Sequence, residues 1–200
     1  MNPISTIMSQ PLAYRLWQAP FAERKFAPIL AHNDLRRALR ILDIGCGPGT
    51  NTRHFSGADY LGIDLNERYI RDAQRRHHCR FLVADATNFI PSAGDHFDFI
   101  LVNSFLHHID VPLARRLLSN LSSLLTDDGH VHILELVLPE SASVARFLAH
   151  LDRGEFSRPL EEWRRMFADS FDSVIFEPYD LTAFGVPLWK MVYFKGRKKA

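Results

Sequence analysis

Three glycines at alternate positions follow a short apolar stretch and form the strongest chemical signal in this chain. The segment reads LDIGCGPGT over residues 42–50, with glycines at Gly45, Gly47 and Gly49. Because glycine has no Cβ, its backbone can turn sharply and approach a ligand closely. Open α/β sheets bind ligands at turns that follow the carboxyl ends of their strands. The spacing therefore predicts a ligand-binding turn, with Cys46 packed beneath it as a small residue.

A carboxylate lies at or directly after the end of this apolar stretch and of each of the next two. Asp43 comes just before the glycines, Asp64 lies 19 positions after Gly45, and Asp85 follows the third stretch. A carboxylate accepts strong charge-assisted hydrogen bonds, and one after the second strand of such a sheet can accept both ribose hydroxyls. These positions predict polar contacts to a ligand at this edge of the sheet. For Asp43 two roles stay open, which are binding an ammonium group of the ligand and ordering the loop.

Three other ionisable residues are candidates for catalysis: His107, His108 and Glu135. A neutral imidazole can act as a general base near pH 7. A glutamate inside the apolar run 133–136 is costly unless it has a partner or a task. Packing is the alternative role for both histidines. We expect no metal site, since adjacent side chains diverge and no zinc-ligand spacing is present.

Short apolar runs alternate with helical patterns along the chain, which is typical of a parallel sheet covered on both faces. The runs are residues 40–44, 60–63, 81–84, 97–102 and 131–138, and residues 174–176 and 189–194 form a terminal strand pair. Asn66 and Asp110 can cap two of the helices. A further helix is expected over residues 21–39, and Gly129 is expected to end the helix that Asp110 begins.

The D-x-G-x-G-x-G turn resembles the first motif of class I S-adenosylmethionine-dependent methyltransferases. Later segments resemble the family's further motifs in order: GIDL at residues 62–65, VADA at 83–86 and FDFILVNS at 97–104. The segment LLTDDGH at residues 124–130 is similar to the L-x-P-G-G turn of the family, from which it departs in its two aspartates. The resemblance covers roughly residues 40–138, about half of the chain.

This resemblance implies a single α/β domain, a Rossmann-like three-layer sandwich with a mostly parallel seven-stranded sheet. It implies methyl transfer from S-adenosyl-L-methionine, with S-adenosyl-L-homocysteine as product. In the family, the residues matching Asp85 and Ala86 read the adenine edge. The implied cofactor-binding residues, with Tyr14 added from an N-terminal aromatic segment, are Asp43, Gly45, Cys46, Gly47, Gly49, Asp64, Leu65, Asp85, Ala86, Asn103 and Tyr14. We expect residues 1–39 to be a helical cover and residues 40–200 the methyltransferase domain.

The composition and charge of the chain exclude some classes of partner. A chain of 200 residues with a net charge of +1 and 46% hydrophobic residues predicts one globular domain and excludes a general polycation for nucleic acid. No apolar run approaches the roughly 18 residues of a membrane span, and the N-terminus is not typical of a secretory signal. Cys46 and Cys79 are expected to stay unpaired. We therefore expect a cytoplasmic protein.

The expected acceptor is a small molecule, and the sequence names neither this molecule nor the oligomeric state. One alternative is a non-catalytic S-adenosylmethionine- or nucleoside-binding regulator or partner subunit. Another is an RNA methyltransferase, suggested by the basic segments 68–76 and 195–199, although no separate nucleic-acid module is present. A dehydrogenase is disfavoured, because the glycines do not follow the G-x-G-x-x-G spacing.

Overall fold

Strands and helices alternate along the chain as the apolar runs predict. A computed structural model describes residues 11–92, 94–151, 155–183 and 185–199, without the side chains of residues 11–20, 144, 150 and 151. The strands are β1 (Arg40–Ile44), β2 (Asp59–Asp64), β3 (Arg80–Val83), β4 (Phe97–Asn103), β5 (Leu125–Val137), β6 (Phe171–Ala183) and β7 (Val186–Lys198). The helices are α1 (Pro11–His32), α2 (Glu67–Arg76), α3 (Val111–Ser123), α4 (Val144–Leu151) and α5 (Leu160–Ser170).

The strands form one seven-stranded sheet in the order β3-β2-β1-β4-β5-β7-β6. Neighbouring strands among β1 to β5 pair in parallel, whereas β7 is antiparallel to both β5 and β6. This arrangement confirms the predicted mostly parallel sheet. The chain leaves β1 toward β2 on one side and returns to β4 on the other, so the strand order reverses beside β1. Open α/β sheets bind ligands at such a switch point.

The core consists of layers on both faces of the sheet. Adjacent residues of β1 point to opposite faces, so Ile41 packs in one apolar cluster with Phe26 of α1, and Leu42 packs in another with Leu117 of α3. Both faces are therefore covered by helices, which explains why the central strands are apolar at almost every position. The three-layer sandwich is confirmed.

The two predicted helix starts are confirmed. The side chain of Asn66 accepts hydrogen bonds from the amides of Arg68 and Tyr69, and that of Asp110 accepts one from the amide of Leu113 at 2.9 Å. These caps satisfy amides that have no partner within the helix. They place the starts of α2 and α3 directly after the β2 and β4 regions, at the switch-point edge.

Several predicted boundaries differ from the structure, among them the starts of α1 at Pro11 and of β5 at Leu125. The N-terminal helix ends at His32 rather than residue 39, because Asp34 caps a separate single turn over Leu35–Arg37. Gly129 does not end α3, which stops at Ser123. Gly129 instead lies inside β5, where a Cβ would approach the carbonyl oxygen of Phe97 to 2.8 Å. The last two strands have 13 residues each, longer than predicted, since they pair with each other along almost their whole length.

Within the described residues, no helix is both long and apolar enough to cross a membrane.

Candidate functional site

The glycine turn directly follows β1 and has a backbone that only glycine adopts without strain. Gly45, Gly47 and Gly49 have φ angles of +65°, +54° and +77°. A Cβ on Gly45 would lie 2.6 Å from Cδ2 of Phe105, and one on Gly49 would lie 2.9 Å from Cδ2 of His77. Both the left-handed conformation and the lack of space therefore require glycine at these two positions.

Asp64 ends β2 and holds the turn with its carboxylate. The amide of Gly47 donates to Oδ2 at 2.9 Å, and the amide of Asn66 donates to Oδ1 at 2.7 Å. Burial raises the pKa of Asp64, although both hydrogen bonds oppose the shift. Each oxygen keeps a lone pair, so the carboxylate can also accept two hydroxyl groups. Leu65 beside it is 66% exposed and offers an apolar surface to a ligand.

A buried polar chain connects the ends of β1 and β4. Asp43 accepts hydrogen bonds from the Tyr60 hydroxyl and from Nδ2 of Asn51, and Oδ1 of Asn51 accepts from Nδ2 of Asn103. Oδ1 of Asp43 and Oδ1 of Asn103 are buried, and neither has a hydrogen-bond partner within the part of the chain that the structure describes. Burial raises the pKa of Asp43 to about 7 against the effect of its two donors. Unpartnered buried acceptors are rare and costly, so these two oxygens fit a bound hydrogen-bond donor.

Sequence reasoning missed Tyr60 and Asn51. Tyr60 reads as an ordinary apolar strand residue, and its hydroxyl meets Asp43 only because β1 and β2 pair in the register that aligns Asp43 with Gly62. Asn51 comes two residues after the last glycine of the turn. A polar residue at this position was the one feature of the sequence that could have indicated a role at the site.

A small cavity of about 30 Å³ opens beside the glycine turn. Its lining combines α1, the turn and the end of β4: Ala22, Lys25, Gly45, Cys46, Thr50, Asn51, Arg53 and Asn103. Cys46 is 3% exposed, and burial raises the pKa of its thiol well above the usual range. Its thiol is therefore a packing group rather than a nucleophile. Cys46 and Cys79 are both free thiols.

Asp85 organises the turn after β3. Its oxygens accept hydrogen bonds from the amide and hydroxyl of Thr87 and from Nδ2 of Asn88, at 2.8–3.0 Å, and these bonds lower its pKa. Ala86 is buried beside it. The side chain of Tyr14 lies outside the described part of the chain.

The candidate bases Glu135 and His107 are buried and paired with each other. The carboxylate of Glu135 accepts from His107 Nδ1 and from the amides of Leu106 and Leu136, both at 2.8 Å. Burial alone would raise the pKa of Glu135, but His107 and the amides outweigh it and hold this pKa below its usual value. His108 is exposed, with its ring centroid 4.1 Å from that of His107. The three residues thus come together, and His108 is the one that faces solvent.

Arg158 stabilises the turn that carries both histidines. No pattern in the sequence indicated this role. Its guanidinium donates to the carbonyl oxygens of Leu106 at 3.0 Å and Ile109 at 2.8 Å. It also stacks over the ring of Trp163, whose Nε1 donates to the carbonyl oxygen of Leu136. The segment after α4 is thereby attached to the ends of β4 and β5.

A second, larger cavity of about 670 Å³ lies at the carboxyl end of β5, between the β6–β7 hairpin and the start of α5. Tyr179 of β6 lines it, and the Tyr179 hydroxyl donates to the carbonyl oxygen of Lys25 at 2.8 Å. Lys25 of α1 therefore both lines the small cavity and contacts a residue that lines the larger one. In the described ranges, no three His, Cys, Asp or Glu residues are grouped as metal ligands.

The chain is similar in sequence to known methyltransferases. A family model for a methyltransferase domain matches residues 41–129. Trans-aconitate 2-methyltransferase of Delftia acidovorans is 30% identical over 142 residues, which are 64% of this chain and 53% of the relative. The Yersinia pestis enzyme of the same name is 37% identical over 87 residues, 41% of this chain and 33% of that one. The chain thus spans about half or less of these relatives.

The fold has a solved counterpart in the N-methyltransferase NodS from Bradyrhizobium japonicum, crystallised with S-adenosyl-L-homocysteine. The two share 18% identity and a TM-score of 0.70, over 90% of this chain and 89% of that one. At this identity the likeness establishes the fold alone. Residues 41–129 thus match a methyltransferase domain, and the strand order and the glycine turn are those that the resemblance to class I S-adenosylmethionine-dependent methyltransferases predicts.

Proposed function

We propose that this chain transfers a methyl group from S-adenosylmethionine to a small-molecule acceptor and releases S-adenosylhomocysteine. The proposal rests mainly on two buried oxygens beside the left-handed glycine turn, Oδ1 of Asp43 and Oδ1 of Asn103, which have no partner among the described residues. The methionine part of this cofactor carries an ammonium group, whose N–H bonds would satisfy them. The free lone pairs of Asp64 suit its ribose hydroxyls.

The chemistry then depends mostly on positioning. When bound, the cofactor supplies a methyl group on a positively charged sulfur, which is an activated leaving group. The acceptor's lone pair forms a bond to the methyl carbon as the carbon–sulfur bond breaks, and sulfur keeps that electron pair. The protein's part is to align the acceptor with this bond and to exclude water.

A proton must leave the acceptor when its nucleophilic atom is a hydroxyl or an ammonium. We propose His108 as the base that takes this proton, since it is exposed next to the buried His107–Glu135 pair. His107 and Glu135 then act as positioning residues, because their hydrogen bonds hold the turn on which His108 lies.

Residues 1–39, of which 1–10 lie outside the described part of the chain, are proposed as a cover over the domain formed by residues 40–200. Helix α1 contacts the glycine-turn side, where Glu23 pairs with Arg53 at 3.0 Å and Phe26 stacks on His54. It also contacts the β6–β7 hairpin, where His32 pairs with Glu177 at 2.7 Å. These two sets of contacts would place α1 across the space between cofactor and acceptor.

Calorimetric titration of S-adenosylhomocysteine into native and Asp64→Ala protein tests the cofactor assignment. Loss of the charged hydrogen bonds should weaken binding by about 1.5–3 kcal/mol, roughly 10- to 150-fold. Asp59→Ala is the matched control, because Asp59 begins the same strand and pairs with Arg80 at the surface. Unchanged affinity in Asp64→Ala, or an equal loss in Asp59→Ala, would contradict the assignment.

A further inference from the structure

The larger cavity has an apolar floor and an acidic rim. Val137 and Met191 are 5% and 2% exposed and form part of the floor. Among the lining residues that the structure describes, the charged ones are Glu140, Glu161, Asp180 and Lys190. The described lining thus contains three carboxylates and one ammonium group. A volume of about 670 Å³ lies within the range of roughly 300–1,000 Å³ that holds small organic ligands.

Two of the carboxylates are available to a ligand. Glu161 pairs with Arg164 at 3.3 Å. Over the described residues, the side chains of Glu140 and Asp180 make no hydrogen bond and no ion pair. Asp180 and Lys190 are aligned across β6 and β7 without forming a salt bridge. Each of these two carboxylates therefore keeps its hydrogen-bonding capacity for an occupant of the cavity.

Among the residues that the structure describes, the guanidinium groups near the cavity already have acceptors. Arg146 donates to the carbonyl oxygens of Pro139 and Glu140, and Arg24 donates to the carbonyl oxygen of Thr182 at 2.7 Å. Arg158 donates to the carbonyl oxygens of the histidine-bearing turn, as described above. These cations stabilise the backbone around the cavity. They do not form the cluster of donors with which a protein binds several carboxylates of one ligand.

We infer that this cavity is the acceptor site and that it selects a molecule with an apolar body and an amine-type positive charge. This inference rests on the proposed methyl transfer. The apolar part would lie on Val137 and Met191, and the cation would lie between Glu140 and Asp180. A tricarboxylate such as trans-aconitate, after which the curated relatives are named, would instead meet three like charges and one lysine.

The test uses a matched pair of probes that end in opposite charges, and a tricarboxylate beside them. Tyramine and 3-(4-hydroxyphenyl)propionate share the same ring and chain length, and trans-aconitate is the third probe. NMR titration of each into protein saturated with S-adenosylhomocysteine should give tyramine about tenfold tighter binding than the matched acid, with trans-aconitate weakest. Equal or tighter binding of either acid, or no binding of tyramine, would overturn the inference.

Substitutions at the cavity test whether its charged residues cause the preference for tyramine. Glu140→Gln combined with Asp180→Asn should remove most of the preference for tyramine. Lys190→Gln should weaken the acid and spare the amine. Glu67→Gln is the control, because Glu67 is an exposed acid on α2 away from the cavity. A preference that survives the double variant would contradict the assignment to these two carboxylates.

Failure of this inference can be told apart from failure of the proposed function. The same titrations are repeated without S-adenosylhomocysteine, next to a calorimetric titration of that ligand. Normal binding of S-adenosylhomocysteine with a preference for the acids would refute only the acceptor class. An amine preference in a protein that does not bind S-adenosylhomocysteine would refute the methyl transfer and leave the cavity's selectivity established.

Discussion

Cofactor affinity should depend on pH through Asp43. This carboxyl is fully buried, and burial raises its pKa to about 7 despite the donors Tyr60 and Asn51. An ammonium group favours the ionised carboxylate, so binding competes with protonation of Asp43. About a tenth of the groups are ionised at pH 6 and about nine tenths at pH 8. The affinity for S-adenosylhomocysteine should therefore rise about tenfold between these two values.

Calorimetric titration at pH 6, 7 and 8 measures this effect. The control ligand is 5′-methylthioadenosine, which keeps the nucleoside and lacks the ammonium group, so its affinity should change little. Asp43→Asn keeps the shape of the side chain and removes its titration, so it should bind S-adenosylhomocysteine weakly and with a flat pH profile. If native protein shows the same affinity at pH 6 and pH 8, or if both ligands show the same slope, Asp43 only orders the loop.

The stability of the unliganded protein should change with pH in the opposite direction. Because folding raises the pKa of Asp43 from 3.8 to about 7, the fold prefers the protonated carboxyl. This contribution is fully present below pH 4 and is lost as the pH rises to about 7, and it amounts to about 4 kcal/mol. Urea unfolding of the native protein and of Asp43→Asn between pH 4 and about 7 measures this contribution, because the variant lacks the titrating carboxyl. A difference in unfolding free energy between the two that stays constant with pH would refute the shifted pKa.

Two other substitutions test the turn and the candidate bases. Gly47→Val should abolish binding of S-adenosylhomocysteine while circular dichroism stays native, since φ at this position is +54°; normal binding would contradict the role of the turn. Glu135→Gln should destabilise the protein by about 3–5 kcal/mol in urea unfolding, because it removes a buried charge and places an NH2 group against donors that now meet an acceptor. His108→Ala should leave stability nearly unchanged and lower turnover by roughly 10²–10⁴-fold once an acceptor is identified, and full turnover would exclude it as a base.

The local pattern of the chain determines most of the fold. Continuous apolar runs predict buried parallel strands, and Asn66 and Asp110 predict the starts of α2 and α3, because these signals depend on a few neighbouring residues. The alternate glycines likewise predict the turn after β1, whose left-handed backbone requires them. Boundaries without such a local signal were less predictable. Gly129 is the clearest case, since the carbonyl oxygen that excludes a side chain there belongs to Phe97 on another strand.

Only the tertiary structure determines how the polar groups are paired. Asp43 reaches Tyr60 through the register between β1 and β2, and Glu135 meets His107 from a strand that lies 28 positions later in the chain. Arg158 reaches the same turn from a still later segment. Such contacts decide which carboxylate is neutralised, which histidine is exposed and where acidic groups surround a cavity. They depend on distances and burial in three dimensions, and residue type and spacing do not encode these in any short stretch of sequence.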